Sequence, residues 1–275
     1  MRGKSAHPIK LAVFGQPVAH SLSPRIHRMF GEQTGIAVDY KAIESEPDEL
    51  AARLSAFRED GGCGANLTVP LKEIGLRLCS AIEPVARRAR AVNTLKAAED
   101  GWHGYNTDGA GLVLDLERLG LDLAGKRVLV VGAGGAVAGI LEPLLDMNPE
   151  RICLLNRTPE RARRLADKFA HRGHIEAAAL EDGPGEMPCD LLIQSTSAGH
   201  TGTTLTLDRQ WLTDEASAYD LNYGAVHAAF AGWCRDNDLP VHDGLGMLVG
   251  QAALAFETWT GRRPAISPVL EKLRA

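Results

Sequence analysis

The 275-residue sequence predicts an α/β protein of two domains, an N-terminal α/β domain completed by C-terminal helices and a doubly wound parallel-sheet domain. Three observations lead there. Short apolar runs alternate with longer stretches of helical period, the pattern of a parallel sheet covered by helices. The pattern restarts near residue 127 with a glycine-rich turn between strand and helix. After Gly244, two helical segments follow with no strand between them.

In order, Lys10 to Phe14 reads as a strand, and after Ser23-Pro24 the residues Ile26, Met29 and Phe30 fall on one helical face. Val38 to Ile43 is the second strand, and Pro47 to Phe57 the second helix, with Leu50, Leu54 and Phe57 inward. Ala65 to Val69 is a third strand ended by Pro70. A helix over Glu83 to Arg90, a strand over Val92 to Ala97 and a turn over Gly104 to Gly109 lead into an apolar-periodic helix ending near Gly120. The second series runs strand Val128 to Val131, helix Val137 to Leu145, strand Ile152 to Leu155 and helix Pro159 to Phe169. Strands Leu191 to Ser195 and Ala218 to Leu221 follow, with Glu181 to Pro188 as a loop. A helix over Met247 to Trp259 and a short one from Pro268 form the tail, a kind that often packs back across a first domain.

A formal net charge of −5 gives no reason to expect nucleic acid or an anionic membrane as partner. Five widely spread cysteines without C-x-x-C spacing predict reduced thiols, mostly core filler, rather than a disulfide framework or zinc site. No apolar h-region opens the chain and no run approaches the ~20 residues of a membrane helix, so a cytoplasmic protein acting on a small molecule is expected.

Val128 to Val131 runs into Gly132-Ala133-Gly134-Gly135-Ala136 and then a helix. Backbone N–H groups there can face a pyrophosphate with no side chain in the way, as in the Rossmann dinucleotide turn, although Val137 stands where the third glycine of G-x-G-x-x-G belongs. The same sequence would also serve as a tight turn without ligand. NAD enzymes place an acidic residue after the next strand to hold the ribose 2′-hydroxyl; here Asn156-Arg157-Thr158 follows, with Arg161 one turn on. A guanidinium suits a 2′-phosphate, which points to NADP. Arg163 and Arg164 read as a solvated helix face.

Ser21-Leu22-Ser23-Pro24 puts two hydroxyls before a helix, fit for a carboxylate, while Ser23 alone would equally serve as N-cap. Asn66 and Thr68 share a strand face by period two, with Lys72 just past the strand end, where open α/β sheets bind ligands. A lysine at such a place is also an ordinary surface charge, and Asp108 is also a good N-cap.

Together these segments resemble the shikimate dehydrogenase family from Leu11 to about Trp259. The motifs that carry the resemblance are Ser21 to Pro24, Asn66-Leu67-Thr68-Val69-Pro70-Leu71-Lys72, Ala91-Val92-Asn93-Thr94, Gly104 to Gly109, Gly132 to Ala136, Asn156-Arg157-Thr158 and Asp243-Gly244-Leu245-Gly246-Met247-Leu248. The resemblance implies a substrate domain of residues 1–108 plus 245–275 and a Rossmann-like NADP domain of residues 109–244. It implies reversible hydride transfer between NADPH and the ring ketone of 3-dehydroshikimate, giving shikimate on the route to chorismate, by a monomer or homodimer.

By the same resemblance Lys72 and Asp108 are the catalytic pair. Ser21 and Ser23 bind the substrate carboxylate, while Asn66, Thr68, Asn93, Asp108 and Gln251 hold ring hydroxyls and Tyr223 reaches over the substrate. Gly132, Ala133, Gly134, Gly135, Ala136 and Thr196 line the cofactor. Asn156, Arg157, Thr158 and Arg161 surround the ribose phosphate, and Gly244 and Met247 border the nicotinamide. No metal is implied, because an ammonium can stabilise the developing alkoxide and donate the proton.

The chain departs from the family at Gln194-Ser195-Thr196-Ser197-Ala198-Gly199-His200, at Val137 and after Asp220-Leu221-Asn222-Tyr223. A quinate or dual quinate/shikimate dehydrogenase is the alternative within the enzyme class, and a non-catalytic NADP-binding module the alternative outside it.

Overall fold

The first apolar run folds as strand β1 (Ile9–Gly15), whose residues Leu11 to Gly15 are all buried. It is followed by α1 (Ser23–Thr34), β2 (Val38–Glu44), α2 (Leu50–Glu59), β3 (Gly62–Leu67), α3 (Lys72–Leu76), β4 (Cys79–Ile82), α4 (Pro84–Ala89), β5 (Thr94–Ala98), β6 (Gly101–Tyr105) and α5 (Asp108–Leu119). The computed structural model describes residues 7–196 and 207–275. It divides into two compact units, Met1–Gly111 with Val249–Ala275, and Leu112–Leu248.

In the first unit the sheet order is β2-β1-β3-β5-β6-β4. The purely parallel sheet that the alternation suggested is not what forms: β5 runs antiparallel to both β3 and β6. Only Glu99 and Asp100 link β5 to β6, too few residues for a parallel crossover, so the pair closes as a hairpin. The second helix begins at Leu50 and not at Pro47, because Glu46 to Glu49 are held in a turn by the Glu49 N–H to Glu46 carbonyl bond.

β3 also corrects the expected strand Ala65 to Val69: it starts at Gly62 and ends at Leu67. Its two glycines are demanded by rings, since a Cβ on Gly62 would meet Phe57 at 2.4 Å and one on Gly64 would meet Trp259 at 2.4 Å. Trp259 belongs to the tail, whose helices α9 (Leu245–Thr260) and α10 (Ser267–Arg274) bring residues 249–275 onto this unit. There the Trp259 indole donates to the Leu95 carbonyl at 2.8 Å. Gly111 of α5 and Gly250 of α9 bring the two backbones into contact, since a Cβ on Gly250 would lie 2.7 Å from the Gly111 carbonyl oxygen.

His27 of α1 is fully buried and stacks on Tyr40 with centroids 4.3 Å apart. Burial lowers its pKa from 6.5 to about 3. The folded protein therefore refuses a proton that the unfolded chain accepts. Stability tied to neutral His27 is complete above pH 6.5 and is lost as pH falls toward 3, at up to about 1.4 kcal/mol per pH unit. Melting temperature is expected to drop more steeply from pH 7 to pH 4 in the natural protein than in a His27→Phe variant. Parallel curves would remove His27 from the acid sensitivity.

The second unit contains β7 (Arg127–Val131), α6 (Gly135–Asp146), β8 (Arg151–Asn156), α7 (Pro159–Phe169), β9 (Ile175–Ala179), β10 (Cys189–Gln194), β11 (Leu212–Asp220), α8 (Ala228–Asp236) and β12 (Val241–His242). Its sheet, β12-β11-β10-β7-β8-β9, is parallel throughout, the Rossmann-like order expected. Strand β7 shows why its residues read as an unbroken apolar run. Val128 and Val130 face one core with Leu141 and Leu144 of α6, while Leu129 and Val131 face the other with Phe230 and Cys234 of α8. Each such fully buried aliphatic side chain contributes about 1.5–3 kcal/mol.

The five cysteines are free. Burial pushes the thiols of Cys79 and Cys189 up to about 11 and those of Cys153 and Cys234 to about 12, so they remain protonated filler at neutral pH. No helix among the described residues is long and apolar enough to cross a membrane.

Candidate active site

Leu71 fills the core below the end of β3, which leaves Lys72 half-buried as the first residue of α3. Its ammonium donates to Asp108 Oδ2 at 2.7 Å, the two side chains being 24% and 10% exposed. Asp108 was a candidate N-cap, but it is the first residue of α5, and its N–H donates to Asn106 Oδ1 at 3.0 Å. Asn106 is itself anchored by donation to the Ala91 carbonyl at 3.0 Å. Because Asp108 lies inside the helix and is not its N-cap, its two carboxylate oxygens are used by Lys72 and Asn93.

The second oxygen of Asp108 accepts from Asn93 Nδ2 at 2.9 Å, and Asn93 also donates to Thr107 Oγ1 at 2.9 Å and to Gln251 Oε1 at 3.3 Å. Asn93 Oδ1 accepts from the Thr107 N–H and from the Thr94 hydroxyl, each at 2.9 Å. Behind it Asn66 donates to the Asn93 carbonyl at 3.0 Å and to Thr94 Oγ1 at 3.1 Å, while its own Oδ1 accepts from the Tyr40 hydroxyl at 2.7 Å. Both amide hydrogens of Asn66 are thus spent inside the protein, so toward a ring hydroxyl it can act only as an acceptor through Oδ1, which already serves Tyr40.

The carboxylate segment joins the same network. Burial raises the Tyr40 phenol pKa well above its usual value, an effect partly offset by a hydrogen bond with Ser23. Ser23 is not the N-cap of α1: Leu22 holds that position, and Ser21 Oγ accepts from the Ser23 N–H at 3.2 Å. Thr68 lies one residue beyond the end of β3. Its N–H still bonds the Phe14 carbonyl at 2.9 Å, and its methyl packs where a Cβ on Gly15 would fall.

In the second unit Gly132 has φ 123°, a conformation that disfavours any other residue, and a Cβ there would lie 3.3 Å from the Ser195 carbonyl. Gly134 and Gly135 differ, because a Cβ on either would meet nothing within 4 Å. The open space in front of them, at the start of a 12-residue helix with no side-chain cap and no acidic residue in its first turn, fits a pyrophosphate. Ala133 is half-buried and Ala136 exposed at the same turn. Val137 is fully buried in the core, which accounts for a larger residue where the family has a small one.

At the end of β8 Asn156 donates to the Thr158 carbonyl at 2.8 Å, and Arg157, Thr158 and Arg161 are exposed. Within α7, Glu160 pairs with Arg163 at 3.6 Å. Arg157 also lines a cavity of about 760 Å³ with Leu180, Leu207, Trp211 and Asn237.

The Thr196 N–H donates to Gln194 Oε1 at 2.6 Å, and its carbonyl accepts from Asn222 at 3.2 Å. The remainder of the departing loop, Ser197 to His200, lies outside the described residues. Gly244 packs so closely that a Cβ would sit 2.3 Å from the Leu221 carbonyl oxygen; Met247 and Tyr223 are half-buried. Burial raises the Tyr223 phenol pKa. Among the described residues no group of three or more His, Cys, Asp or Glu could hold a metal ion.

Sequence reading missed Tyr40, Thr94, Asn106 and Thr107. Asn106 had a local signal, an Asx residue two positions before a helix start. Tyr40 had none, since it lies 26 residues from Asn66 and looks like ordinary strand filler.

Three family models match the chain: the shikimate dehydrogenase substrate binding domain over residues 13–95, shikimate/quinate 5-dehydrogenase over 114–214 and the shikimate 5′-dehydrogenase C-terminal domain over 244–274. Shikimate dehydrogenase (NADP(+)) of Xylella fastidiosa is 46% identical over 270 residues, covering 97% of this chain and 96% of its own. Among solved structures, an Ael1 enzyme from Pseudomonas putida superposes with TM-score 0.89 at 37% identity, covering 96% of this chain and 98% of its own. Shikimate 5-dehydrogenase from Thermus thermophilus, solved with NADP(H) and shikimate, gives TM-score 0.85 at 35% identity, covering 97% and 98%.

Proposed function

The chain belongs to the shikimate dehydrogenase family, and we propose that it reversibly transfers a hydride between NADPH and the ring ketone of 3-dehydroshikimate, giving shikimate for aromatic amino acid biosynthesis. The observation that carries this reading is the Lys72–Asp108 pair, 2.7 Å apart and braced by Asn93. When bound, the dihydronicotinamide supplies the hydride. Negative charge then develops on the ketone oxygen, where the Lys72 ammonium stabilises it and gives it a proton; in the direction of oxidation Lys72 takes that proton back.

Asp108 keeps Lys72 in place and accepts a ring hydroxyl, Asn66, Thr68, Asn93 and Gln251 complete the polyol contacts, and Tyr223 covers the ring. Ser21 and Ser23, at the start of α1, take the carboxylate. The α6 N-terminus with Gly132 to Ala136 and Thr196 holds the pyrophosphate side of NADP. Asn156, Arg157, Thr158 and Arg161 hold the 2′-phosphate, beside apolar surface from Leu180, Leu207 and Trp211 suited to a purine. Gly244 and Met247 border the nicotinamide. The protein works in the cytoplasm as a monomer or homodimer.

The test is near-ultraviolet absorbance on mixing the protein with shikimate and NADP⁺, beside cuvettes with quinate and with NAD⁺. A rise confined to shikimate with NADP⁺ is expected. Comparable rates with quinate or NAD⁺ would replace this reading with dual specificity, and silence despite NADP binding would sink it.

A further inference from the structure

Two buried polar side chains of the second unit have no part in the roles above. Tyr219 of β11 is fully buried among Leu112, Leu116, Val130 and Ile193, where a phenylalanine would pack without the cost of burying a hydroxyl. Asp115 of α5 has a side chain only 1% exposed. The Tyr219 hydroxyl lies 2.7 Å from Asp115 Oδ2 and 3.3 Å from the Met247 backbone nitrogen. An ionised carboxylate only accepts, so the phenol must donate to Asp115, and its lone pair then accepts from the Met247 N–H.

Met247 is the third residue of α9, and its N–H is one of the first-turn donors that no helical carbonyl can satisfy. Arg118 donates to the other Asp115 oxygen at 2.8 Å and fixes the carboxylate. The same carboxylate fills the space beside Gly246, since a Cβ there would fall 2.0 Å from it. The first turn of α9 is therefore bolted to the central sheet by a phenol and seated on a carboxylate.

We propose that Tyr219 and Asp115 are positioning residues of the hydride transfer, holding the Gly244–Met247 turn, and with it the nicotinamide, in a fixed orientation. The inference rests on the assignment of Gly244 and Met247 to the nicotinamide. Reaction rates depend steeply on the placement of the reacting atoms, while binding of the distant adenosine end does not. Removing one oxygen from Tyr219 should therefore separate the two.

In Tyr219→Phe, kcat with shikimate and NADP⁺ is expected to fall about tenfold while the Kd of 2′,5′-ADP, a probe of the adenosine end alone, stays within about twofold. The primary deuterium isotope effect with NADPH deuterated at the transferred position should rise as hydride transfer becomes rate-limiting. Asp115→Asn keeps an acceptor for the phenol and should stay within about threefold of the natural protein, whereas Asp115→Leu should behave as Tyr219→Phe. Natural kcat and isotope effect in Tyr219→Phe would overturn the proposal. So would a loss of 2′,5′-ADP affinity equal to the loss of kcat, or equal rates for the two Asp115 variants should Tyr219→Phe not fold. Hydrogen exchange at the Met247 amide decides independently of catalysis. Faster exchange in the variant supports the clamp and unchanged exchange removes it, whereas inactivity of the natural protein would count against the parent reading alone.

Discussion

Replacing Lys72 with alanine is expected to lower turnover by about 10²–10⁴ while NADP affinity stays within about twofold. Lys72 is the cation of the pair with Asp108, and the residues packed behind that pair, Asn93, Thr94, Thr107 and Gln251, are all neutral. Alanine at 72 removes both the ammonium that meets the developing alkoxide and the proton it delivers. It also leaves the carboxylate of Asp108, 7% exposed, without its cation and still held by Asn93. Lys72→Arg is not a conservative rescue, because a planar fork replaces a compact rotatable donor. The measurement is kcat by cofactor absorbance together with the Kd of NADP⁺ by fluorescence. Near-natural turnover in the alanine variant would take Lys72 out of the mechanism.

Arg157→Ala is expected to weaken NADP by about ten- to a hundredfold and to leave NAD nearly unchanged, because a charge-assisted hydrogen bond is worth about 1.5–3 kcal/mol. Arg157 is exposed at the end of β8 where NAD-specific enzymes put a carboxylate, and Glu160 is engaged with Arg163 instead. The interaction should weaken with added salt in the natural protein and lose most of that dependence in the variant. Equal losses for both cofactors in parallel titrations would end the phosphate role of Arg157.

In the second unit β7, β8, β10, β11, α6 and α7 were legible because each signal was local, whereas β9, α8 and the two-residue β12 went unread. Strands such as β7 are buried on both faces and appear as unbroken apolar runs, and the Gly132 turn sits between strand and helix. The first unit was harder to read. β4 is four residues long and half-exposed, β6 begins on a glycine, and β3 carries two glycines whose need comes from Phe57 and Trp259, the latter 195 positions beyond Gly64 in the chain. The chemistry of Lys72 and Asp108 was visible only through the family resemblance, since each taken alone reads as a surface charge or a cap. Tyr219 and Asp115 lay beyond reach for a plain reason: a contact spanning 104 positions leaves no periodic trace.

The crossing of Gly111 and Gly250 sets a dimensional tolerance. Where two backbones touch, the gap is fixed by atomic radii and not by rotamers, so it cannot drift through side-chain repacking as a leucine contact can. Asp108 stands three positions before one glycine and Gln251 directly follows the other, and both reach Asn93. The polar constellation is thus gauged from the stiffest contact the chain can make, a metre rule built from the two residues that have no side chain at all.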